Sequence, residues 1–285
     1  MVDDQKRAGG YGEGGIAPAL SVADVAREAE ALGESVSRDD ILALAGGTPI
    51  LELRGLRAGY GAMEILHGVD LAVGAGQSLC LVGPNGAGKS TVLHSIFGFT
   101  KITGGSVVAN GADVTRLTSS AKLRDARIAY ILQDNSIFPD MTVEENLLMG
   151  GYLLADRVKA RDAAERVFAR YDRLAKRRRE RAGVLSGGER RLLEISRALI
   201  MDPQVLLVDE PSIGLEPRMI DMVFEILADL RKAQGKTIVM VEQNARKGLE
   251  FADIGYVMVA GRVALAGPGA ALLENPEVGR LFLGG

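Results

Sequence analysis

The stretch SLCLVGPNGAGKSTVLHSIFGF, residues 78–99, decides the fold. It opens with a short apolar run, SLCLV, of the kind that forms a strand covered on both faces of a parallel sheet. It closes with TVLHSIFGF, which we predict to be a helix. Between them, GPNGAGKS matches G-x-x-x-x-G-K-[ST], the pattern of a phosphate-binding loop that joins a strand to a helix. This order of strand, loop and helix predicts an α/β protein with a nucleotide-phosphate site.

The loop residues suit the chemistry of bound phosphates. Its glycines let the backbone turn N–H groups inward around phosphate oxygens. Lys89 offers a positive charge to the β- and γ-phosphates, and Ser90 offers a hydroxyl to Mg²⁺. A chance glycine-rich loop is the alternative, and the strand and helix beside it argue against that alternative. The predicted nucleotide-binding residues here are Gly83, Pro84, Asn85, Gly86, Ala87, Gly88, Lys89, Ser90 and Thr91.

A second run, QVLLVDEP at residues 204–211, supplies carboxylates. Its apolar residues predict a buried strand, and Asp209 then emerges at the carboxyl edge of the sheet, where open α/β sheets bind ligands. Behind a phosphate-binding loop, such an aspartate helps to hold Mg²⁺. Glu210 comes next and is placed to polarise a water for attack on the γ-phosphate.

A third run, LSGGERRLLEISRAL at residues 185–199, predicts an amphipathic helix that opens with two glycines. Ser186 and Glu189 form a capping box, which explains the serine and the glutamate but not the glycines. Gly187 and Gly188 each weaken a helix by roughly 1 kcal/mol relative to alanine. Either the turn is only a local cap, or its backbone is bared so that an anion can approach the helix N-terminus. The stretch alone leaves both interpretations open.

GPNGAGKS, LSGGE and LLVDEP, in this order and spacing, resemble the ATP-binding subunits of ABC transporters, and the resemblance covers roughly residues 50–285. It implies an α/β P-loop NTPase with a RecA-like core, an N-terminal antiparallel β subdomain and a helical signature subdomain. The implied organisation is an acidic, partly disordered extension at residues 1–48 and a nucleotide-binding domain at 49–285. The helical subdomain is expected at about residues 141–190.

The resemblance also implies roles for individual residues. Tyr60 matches the aromatic that stacks on adenine, with ordinary core packing as the alternative. Gln133 matches a glutamine that senses Mg²⁺ and the transport partner, with a plain loop as the alternative. In the family, two domains pair head to tail, and the signature of one caps the γ-phosphate held by the other. The matching signature and dimer-crossing residues are Ser186, Gly187, Gly188, Glu189, Gly214, Leu215 and Glu216.

One position departs from the family pattern. The family usually has a γ-phosphate-contacting histidine after the strand that follows the Asp-Glu pair, and here KTIVMVEQNA places Gln243 there. The two histidines, His67 and His94, lie in other parts of the chain. An amide donates a hydrogen bond but cannot carry charge or relay a proton. The predicted catalytic residues are Glu210, Lys89, Gln133 and Gln243, and the predicted metal ligands are Ser90, Gln133 and Asp209.

Four further stretches narrow the branch. VEQNA, ADIGYVMVAGRV, IFPDMTVEENLLMGGY and the tail NPEVGRLFLGG resemble the second ATPase subunit of branched-chain amino-acid importers. Importers of urea and short amides share much of this pattern. The resemblance implies ATP and Mg²⁺ as cofactors and a dimer of this chain with itself or with a sister ATPase. It further implies two membrane-spanning permease subunits, an extracytoplasmic solute-binding protein, and a peripheral location at the cytoplasmic face of the inner membrane.

Composition limits the competing functions. The formal charge is −3, so no general electrostatic attraction to nucleic acid is expected, and the run KRRRER at 176–181 is expected to be a solvated face or loop. A soluble ABC-type ATPase acting on nucleic acid or ribosomes is one alternative, but such proteins usually carry two cassettes or a long coiled coil. A regulatory protein that binds ATP without turnover is another; the Asp209–Glu210 pair argues against it, while Gln243 in place of the usual histidine argues for it.

The lone Cys80 excludes a disulfide within the chain, and no apolar run reaches the length of a membrane span.

The remaining pattern predicts the order of elements. Residues 1–17 are glycine-rich and predicted to be disordered, and 21–45 predict one or two short helices with a second start at Ser37. We expect this acidic segment to be a tail or docking arm. β-rich runs follow from Ile50, and strands are predicted at SLCLVG, ARIAYIL, QVLLVD and KTIVMVE. Residues 142–181 predict a helical insertion, 254–266 a hairpin, and the end of the chain two short helices.

Overall fold

The computed structural model describes residues 36–133 and 136–282. Its strands form two sheets, one of six strands and one of four. The strands are β1 (Leu51–Tyr60), β2 (Met63–Val73), β3 (Ser78–Val82), β4 (Lys101–Ala109), β5 (Ala112–Asp113), β6 (Ile128–Ile131), β7 (Val205–Asp209), β8 (Thr237–Val241), β9 (Ile254–Val259) and β10 (Arg262–Pro268). The described α-helices are α1 (Arg38–Leu44), α2 (Lys89–Phe97), α3 (Ser119–Arg124), α4 (Val143–Gly150), α5 (Arg157–Arg170), α6 (Asp172–Lys176), α7 (Gly187–Leu199), α8 (Pro217–Gln234), α9 (Ala245–Phe251), α10 (Gly269–Glu274) and α11 (Pro276–Phe282).

The six-stranded sheet has the order β10-β9-β3-β8-β7-β6. Strands β9, β3, β8, β7 and β6 are parallel neighbours, and β10 adds an antiparallel edge. Every residue of β3, β7 and β8 is buried, as expected for parallel strands that are covered on both faces. The loops after β3, β7 and β8 therefore meet at one edge, and these loops carry most of the predicted site.

The four-stranded sheet has the order β2-β1-β4-β5 and is antiparallel throughout. It packs on one face of the parallel sheet through a shared hydrophobic core that also includes α2. A second core covers the other face with α8 and α9. A third core lies within α4–α7, between residues 143 and 200.

The strands and helices predicted within the described residues from Ile50 onward are confirmed in order and type. The four predicted parallel-sheet strands are β3, β6, β7 and β8, and the predicted hairpin is β9 with β10. The predicted helical insertion contains α4, α5 and α6, and the two short terminal helices are α10 and α11. None of the described helices is both long and apolar enough to span a membrane.

Helix α1 differs from the expected tail. It starts where predicted, with the side chain of Ser37 accepting a hydrogen bond from the N–H of Asp40. Its Ile41 is 2% exposed and belongs to the first core, and Arg38 pairs with the buried Glu52 of β1 at 2.7 Å. This part of the extension therefore packs on the domain, because its apolar face has a sheet to cover. The expected disorder at residues 1–17 and any helix at 21–35 lie outside the described residues.

Candidate functional site

The phosphate-binding loop lies between β3 and α2, at the carboxyl edge of the parallel sheet. Gly86 and Gly88 have φ angles of 82° and 95°, a conformation that residues with a Cβ atom rarely adopt. At Gly83 a Cβ atom would lie 2.2 Å from the carbonyl oxygen of Met258, so the loop passes too close to β9 for a side chain. Asn85 and Gly86 are exposed at the tip. The path of the loop therefore requires these glycines.

The lysine of this loop lies inside it. Lys89 is 6% exposed, and its Nζ donates hydrogen bonds to the carbonyl oxygens of Gly83 (2.8 Å) and Pro84 (2.9 Å). Burial lowers the pKa of the Lys89 ammonium, and the negative charges of Glu210 and Asp209 oppose that shift. Two neutral carbonyl oxygens thus hold the ammonium in place, and the ammonium would interact more strongly with phosphate oxygens, because these carry negative charge.

The other predicted loop residues anchor the loop. Ala87 and Thr91 are buried, and the Ala87 carbonyl accepts a hydrogen bond from the N–H of Gly261 at 3.0 Å. Gly261 lies in the turn between β9 and β10. The hairpin therefore fixes the back of the phosphate-binding loop.

A hydroxyl and a carboxylate meet beside the loop. Ser90 Oγ donates to Asp209 Oδ1 at 3.0 Å, although the two residues are 119 positions apart in the chain. The other carboxylate oxygen, Oδ2, accepts a hydrogen bond from the hydroxyl of Tyr130 at 2.7 Å. Asp209 is 4% exposed at the end of β7, so its carboxylate is oriented from both sides.

This pair presents the oxygen ligands that Mg²⁺ prefers. Within the described ranges, no three His, Cys, Asp or Glu side chains cluster into a metal site. Mg²⁺ is usually held by one or two carboxylates together with substrate phosphates and water, so a bound nucleotide would supply the ligands that Ser90 and Asp209 do not.

Glu210 is oriented by its backbone and by a neighbour. Its φ angle is 44°, an uncommon value for a residue with a Cβ atom that costs on the order of 1–3 kcal/mol. Its N–H donates to the carbonyl oxygen of Val241 at 2.9 Å, and its Oε2 accepts a hydrogen bond from Gln133 Nε2 at 3.1 Å. The structure therefore brings Gln133 to the carboxylate predicted to act in hydrolysis.

Helix α7 begins as the capping box predicts. The Ser186 hydroxyl accepts a hydrogen bond from the N–H of Glu189 (3.4 Å), and Glu189 Oε2 accepts one from the N–H of Ser186 (2.9 Å). Arg177 Nε adds an ion pair to Glu189 Oε1 at 2.9 Å. The N-terminus of the helix is therefore held by its capping box and by Arg177 from the segment after α6.

The two glycines of this turn have different surroundings. A Cβ atom on the exposed Gly187 would have Leu215 Cδ2 as its nearest neighbour, at 3.5 Å. A Cβ atom on the buried Gly188 would lie 2.2 Å from Met219 Sδ on α8. The approach of an anion to this turn stays a prediction, and the two glycines differ in what surrounds them. Only Gly187 is open, and Gly188 also lets α7 pack against α8.

A cleft of about 620 Å³ runs from this turn to the hydrolysis residues. Its walls include Gln133, Gly187, Glu210 and Gly214. The predicted signature and the predicted hydrolytic carboxylate of one chain therefore share a cleft. A larger cleft of about 730 Å³, between the end of α2 and β4, contains none of the predicted site residues.

Arg191 on α7 is a residue that the sequence analysis missed. It is 5% exposed, and its guanidinium donates to the carbonyl oxygens of Leu132 (2.8 Å) and Asp209 (3.2 Å) and to the carboxylate of Glu194 (2.8 Å). It thus joins the signature helix to the residues that precede Gln133 and Glu210. The helical pattern placed Arg191 on the charged face, and nothing in that pattern indicates burial.

Tyr60 is 44% exposed, so it is not an ordinary core residue. Its hydroxyl forms a hydrogen bond with Nδ1 of His94 on α2. The His94 ring also makes edge contacts with Phe99 and Tyr130, with ring centroids 5.8 and 5.7 Å apart. Burial lowers the pKa of His94, and the charge of Asp209 opposes this shift. His94 therefore contacts the residue predicted to stack on adenine, a neighbour that sequence spacing did not indicate.

Gln243 is exposed in the loop after β8. Asp209 pairs with Val241 across β7 and β8, so Gln243 lies at the same edge of the sheet as Glu210. The predicted dimer-crossing residues follow β7 in the next loop, where Gly214 has a φ angle of 67° and Glu216 is exposed before α8.

Two of the five basic residues in the run at 176–181, Arg177 and Arg178, form ion pairs within the chain. Arg178 pairs with Glu144 (2.6 Å) and Glu165 (2.5 Å), and Arg177 pairs with Glu180 (2.8 Å). The Arg178 pairs join the segment after α6 to α4 and α5, as expected for a structured segment that precedes the signature.

Comparisons with known proteins agree with this geometry. The chain matches the ABC transporter family over residues 66–213. It is 42% identical, over 79% of its length and 96% of the relative's, to the high-affinity branched-chain amino acid transport ATP-binding protein BraG of Pseudomonas aeruginosa. It is 37% identical, over 80% of its length and 96% of the relative's, to the probable branched-chain amino acid transport ATP-binding protein LivF of Archaeoglobus fulgidus. A solved ATP-binding cassette of an ABC transporter in its ADP conformation superposes with a TM-score of 0.73 at 29% identity, covering 84% of this chain and 100% of that one.

Proposed function

Because the chain belongs to the ABC transporter family as an ATP-binding, ATP-hydrolysing subunit, we propose that it powers the import of branched-chain or closely related amino acids. Two relatives that cover about four fifths of the chain, at 42% and 37% identity, are named for branched-chain amino acid transport. The resemblance of VEQNA and the neighbouring stretches supports the same branch. An ATPase acting on nucleic acid is not favoured, because both of these relatives are named for amino acid transport.

One observation carries the assignment of the site. Three groups of side chains meet at the carboxyl edge of the parallel sheet: Lys89 inside its loop, Ser90 with Asp209, and Glu210 with Gln133. A cation, a pair of hard oxygen ligands and an oriented carboxylate are the groups that phosphoryl transfer to water requires.

We assign the following roles. Lys89 and the backbone N–H groups of its loop bind the β- and γ-phosphates, and Tyr60 stacks on the adenine. Glu210 polarises the attacking water, and the amide of Gln133 keeps its carboxylate in position. Ser90, Asp209 and Gln133 hold Mg²⁺, which when bound neutralises charge on the phosphates. Gln243 senses the γ-phosphate through its amide.

The exposed turn at Gly187 supports a composite site. A helix N-terminus presents free N–H groups and partial positive charge, and it binds anions when the backbone is accessible. We assign this turn, with Ser186, Gly188 and Glu189, to the γ-phosphate held by a second cassette, which is this chain or a sister subunit. In this arrangement two permease subunits and an extracytoplasmic binding protein complete the transporter at the inner membrane, with the chain peripheral on its cytoplasmic face.

The ATPase site is tested with two variants. Lys89→Ala removes the cation, and we expect nucleotide binding or turnover to be lost. Glu210→Gln removes the base but not the phosphate contacts, so we expect ATP binding to persist while phosphate release falls at least a hundredfold. Lys101→Ala and Glu250→Gln change exposed residues of the same types and serve as controls. Phosphate release by Glu210→Gln at the wild-type rate would remove Glu210 from this role.

The transported solute is tested in the assembled transporter. The chain is purified from membranes together with its permease and binding protein and placed in proteoliposomes. We expect ATP hydrolysis to rise when the binding protein carries leucine or a related amino acid, and not when urea is the only solute. Stimulation by urea alone would assign the chain to the urea and amide importers instead.

A further inference from the structure

A buried carboxylate lies between the two loops that carry Glu210 and Gln243. Glu242 follows β8 and is 1% exposed. Its Oε1 accepts hydrogen bonds from the hydroxyl of Ser212 at 2.7 Å and from the N–H of Asn244 at 2.9 Å. Its Oε2 is buried and has no hydrogen-bond partner in the described part of the chain.

The two donors belong to different loops. Ser212 lies two residues after Glu210, in the loop that follows β7, and Asn244 lies directly after Gln243, in the loop that follows β8. The same loops are joined a second time, because the N–H of Glu210 donates to the carbonyl oxygen of Val241 at 2.9 Å. One backbone bond and one shared carboxylate oxygen therefore set the position of the first loop relative to the second.

Helix α9 encloses the carboxylate. A Cβ atom on Gly248 of α9 would lie 2.6 Å from Cys80 Sγ and 3.0 Å from Glu242 Cβ, so the helix rests directly on both residues. Burial, together with the charge of Glu242, raises the pKa of the Cys80 thiol. Glu242 therefore lies against the backbone of α9 and near the buried Cys80.

Such a carboxylate is costly for the fold. A buried carboxylate is stabilised when it is paired and fully hydrogen-bonded, and apolar residues of similar volume are often as stable or more stable. Glu242 forms no ion pair among the described residues, and only one of its two oxygens is satisfied. The contribution of Glu242 therefore comes from the two hydrogen bonds that its Oε1 accepts, from Ser212 and from Asn244.

We propose that Glu242 is a positioning residue of the ATPase. It connects the Ser212 turn to the Asn244 turn, so that Glu210 and Gln243 both face the same bound nucleotide. This inference rests on the proposed function, because it assumes that both residues act on bound ATP. Glu242 is enclosed between strands and α9, so it acts through its hydrogen bonds and not by touching the nucleotide.

The central experiment replaces the carboxylate without leaving a cavity. Glu242→Met keeps the length of the side chain and removes the acceptor, so we expect a melting temperature equal to or above that of wild type. We expect kcat to fall at least tenfold while KM for ATP changes less than threefold, because the phosphate-binding loop is untouched. Glu242→Gln keeps the Oε1 acceptor and should recover most of the kcat that the methionine variant loses.

Two further variants separate positioning from folding. Ser212→Ala removes one of the two bonds and should give an intermediate loss of kcat, and combining it with Glu242→Met should add little, because both act through one contact. Glu52→Met changes another buried carboxylate, which is 6% exposed and ion-paired with Arg38 and Arg54 away from both loops. It should lower the melting temperature without lowering kcat.

The outcomes are distinct. Wild-type kcat in a folded Glu242→Met variant would overturn the inference, and so would a Glu242→Gln variant as impaired as the methionine one. A wild-type protein without ATPase activity would instead overturn the proposed function. If Glu210→Gln loses turnover and Glu242→Met does not, the proposed function stands and only the positioning role is lost.

Discussion

The two glycines of the signature turn show what a motif can and cannot specify at the scale of one residue. The sequence suggests one role for both glycines, but the structure places them in different surroundings. Gly187 is open to solvent, whereas Gly188 is buried against the side chain of Met219. A pattern of residue types does not reveal this difference, because it depends on where α8 packs.

This difference leads to a stability prediction. Gly188→Ala places a Cβ atom 2.2 Å from Met219 Sδ and 3.1 Å from Met222 Cε, so we expect it to destabilise the fold by about 1–3 kcal/mol. Met219→Ala makes room, and the double variant should regain much of that loss. Gly187→Ala should be neutral or stabilising by up to roughly 1 kcal/mol, because alanine favours the helix. Urea denaturation of the four variants measures this, and a Gly188→Ala variant as stable as wild type would contradict the packing argument.

The residues that the sequence analysis missed share one property. Tyr130, Arg191 and Glu242 act through contacts to residues far away in the chain, such as the 2.7 Å bond from Tyr130 to Asp209. Lys89, Ser90 and Glu210 were predicted because their chemistry requires fixed neighbours in sequence. Supporting residues have no such requirement, so only the folded chain identifies them.

At the scale of elements, the parallel strands were predictable because they are buried on both faces. β3, β7 and β8 are short, nearly continuous apolar runs, as expected for parallel strands that are covered on both faces. Helix α3 was not predicted, since it has six residues and no clear apolar period. The packing of α1 was also missed, because its charged sequence conceals the single buried Ile41.

Helix α3 carries a prediction on the pH dependence of stability. Its Lys122 is fully buried, and Nζ donates to the carbonyl oxygen of Ser95 in α2 at 3.3 Å. Burial lowers the pKa of Lys122 to about 8 from its ordinary value of 10.5. Between these values the unfolded chain holds a proton at this site that the folded chain has lost, so the site makes the free energy of unfolding rise with pH.

Lys122→Met removes that titration. Near pH 7 we expect the variant to be as stable as wild type or more stable, because no buried charge remains. From about pH 8 to 10 the wild type should gain stability relative to the variant. Urea denaturation at pH 7, 8, 9 and 10 measures the difference in stability between wild type and variant. Lys101→Met, which changes an exposed lysine at the start of β4, is the control. A difference that stays constant over this range would contradict a titrating Lys122.

At the scale of the whole molecule, the fold places the predicted site in two parts. Lys89, Ser90 and Asp209 meet beside the phosphate-binding loop. The signature turn opens on a separate cleft, whose lining includes Glu210 but neither Lys89 nor Ser90. The motifs predicted both parts, but one sequence does not show how two chains pair. The composite site therefore needs a test in which ATPase activity appears only when two chains combine their residues in one site.

Two inactive variants provide that test when they are mixed. Lys89→Ala removes the cation of one part, and Gly187→Asp sets a carboxylate where we assign the approach of a γ-phosphate. Gly187 has room for a side chain, so both variants should fold. Each alone lacks any intact pairing of Lys89 with Gly187. In a mixture, about half of the dimers combine the two variants and contain one intact site of two, so we expect roughly a quarter of wild-type ATPase activity if the sites act independently. A mixture no more active than its components, with dimers present, would show that each chain forms its site alone.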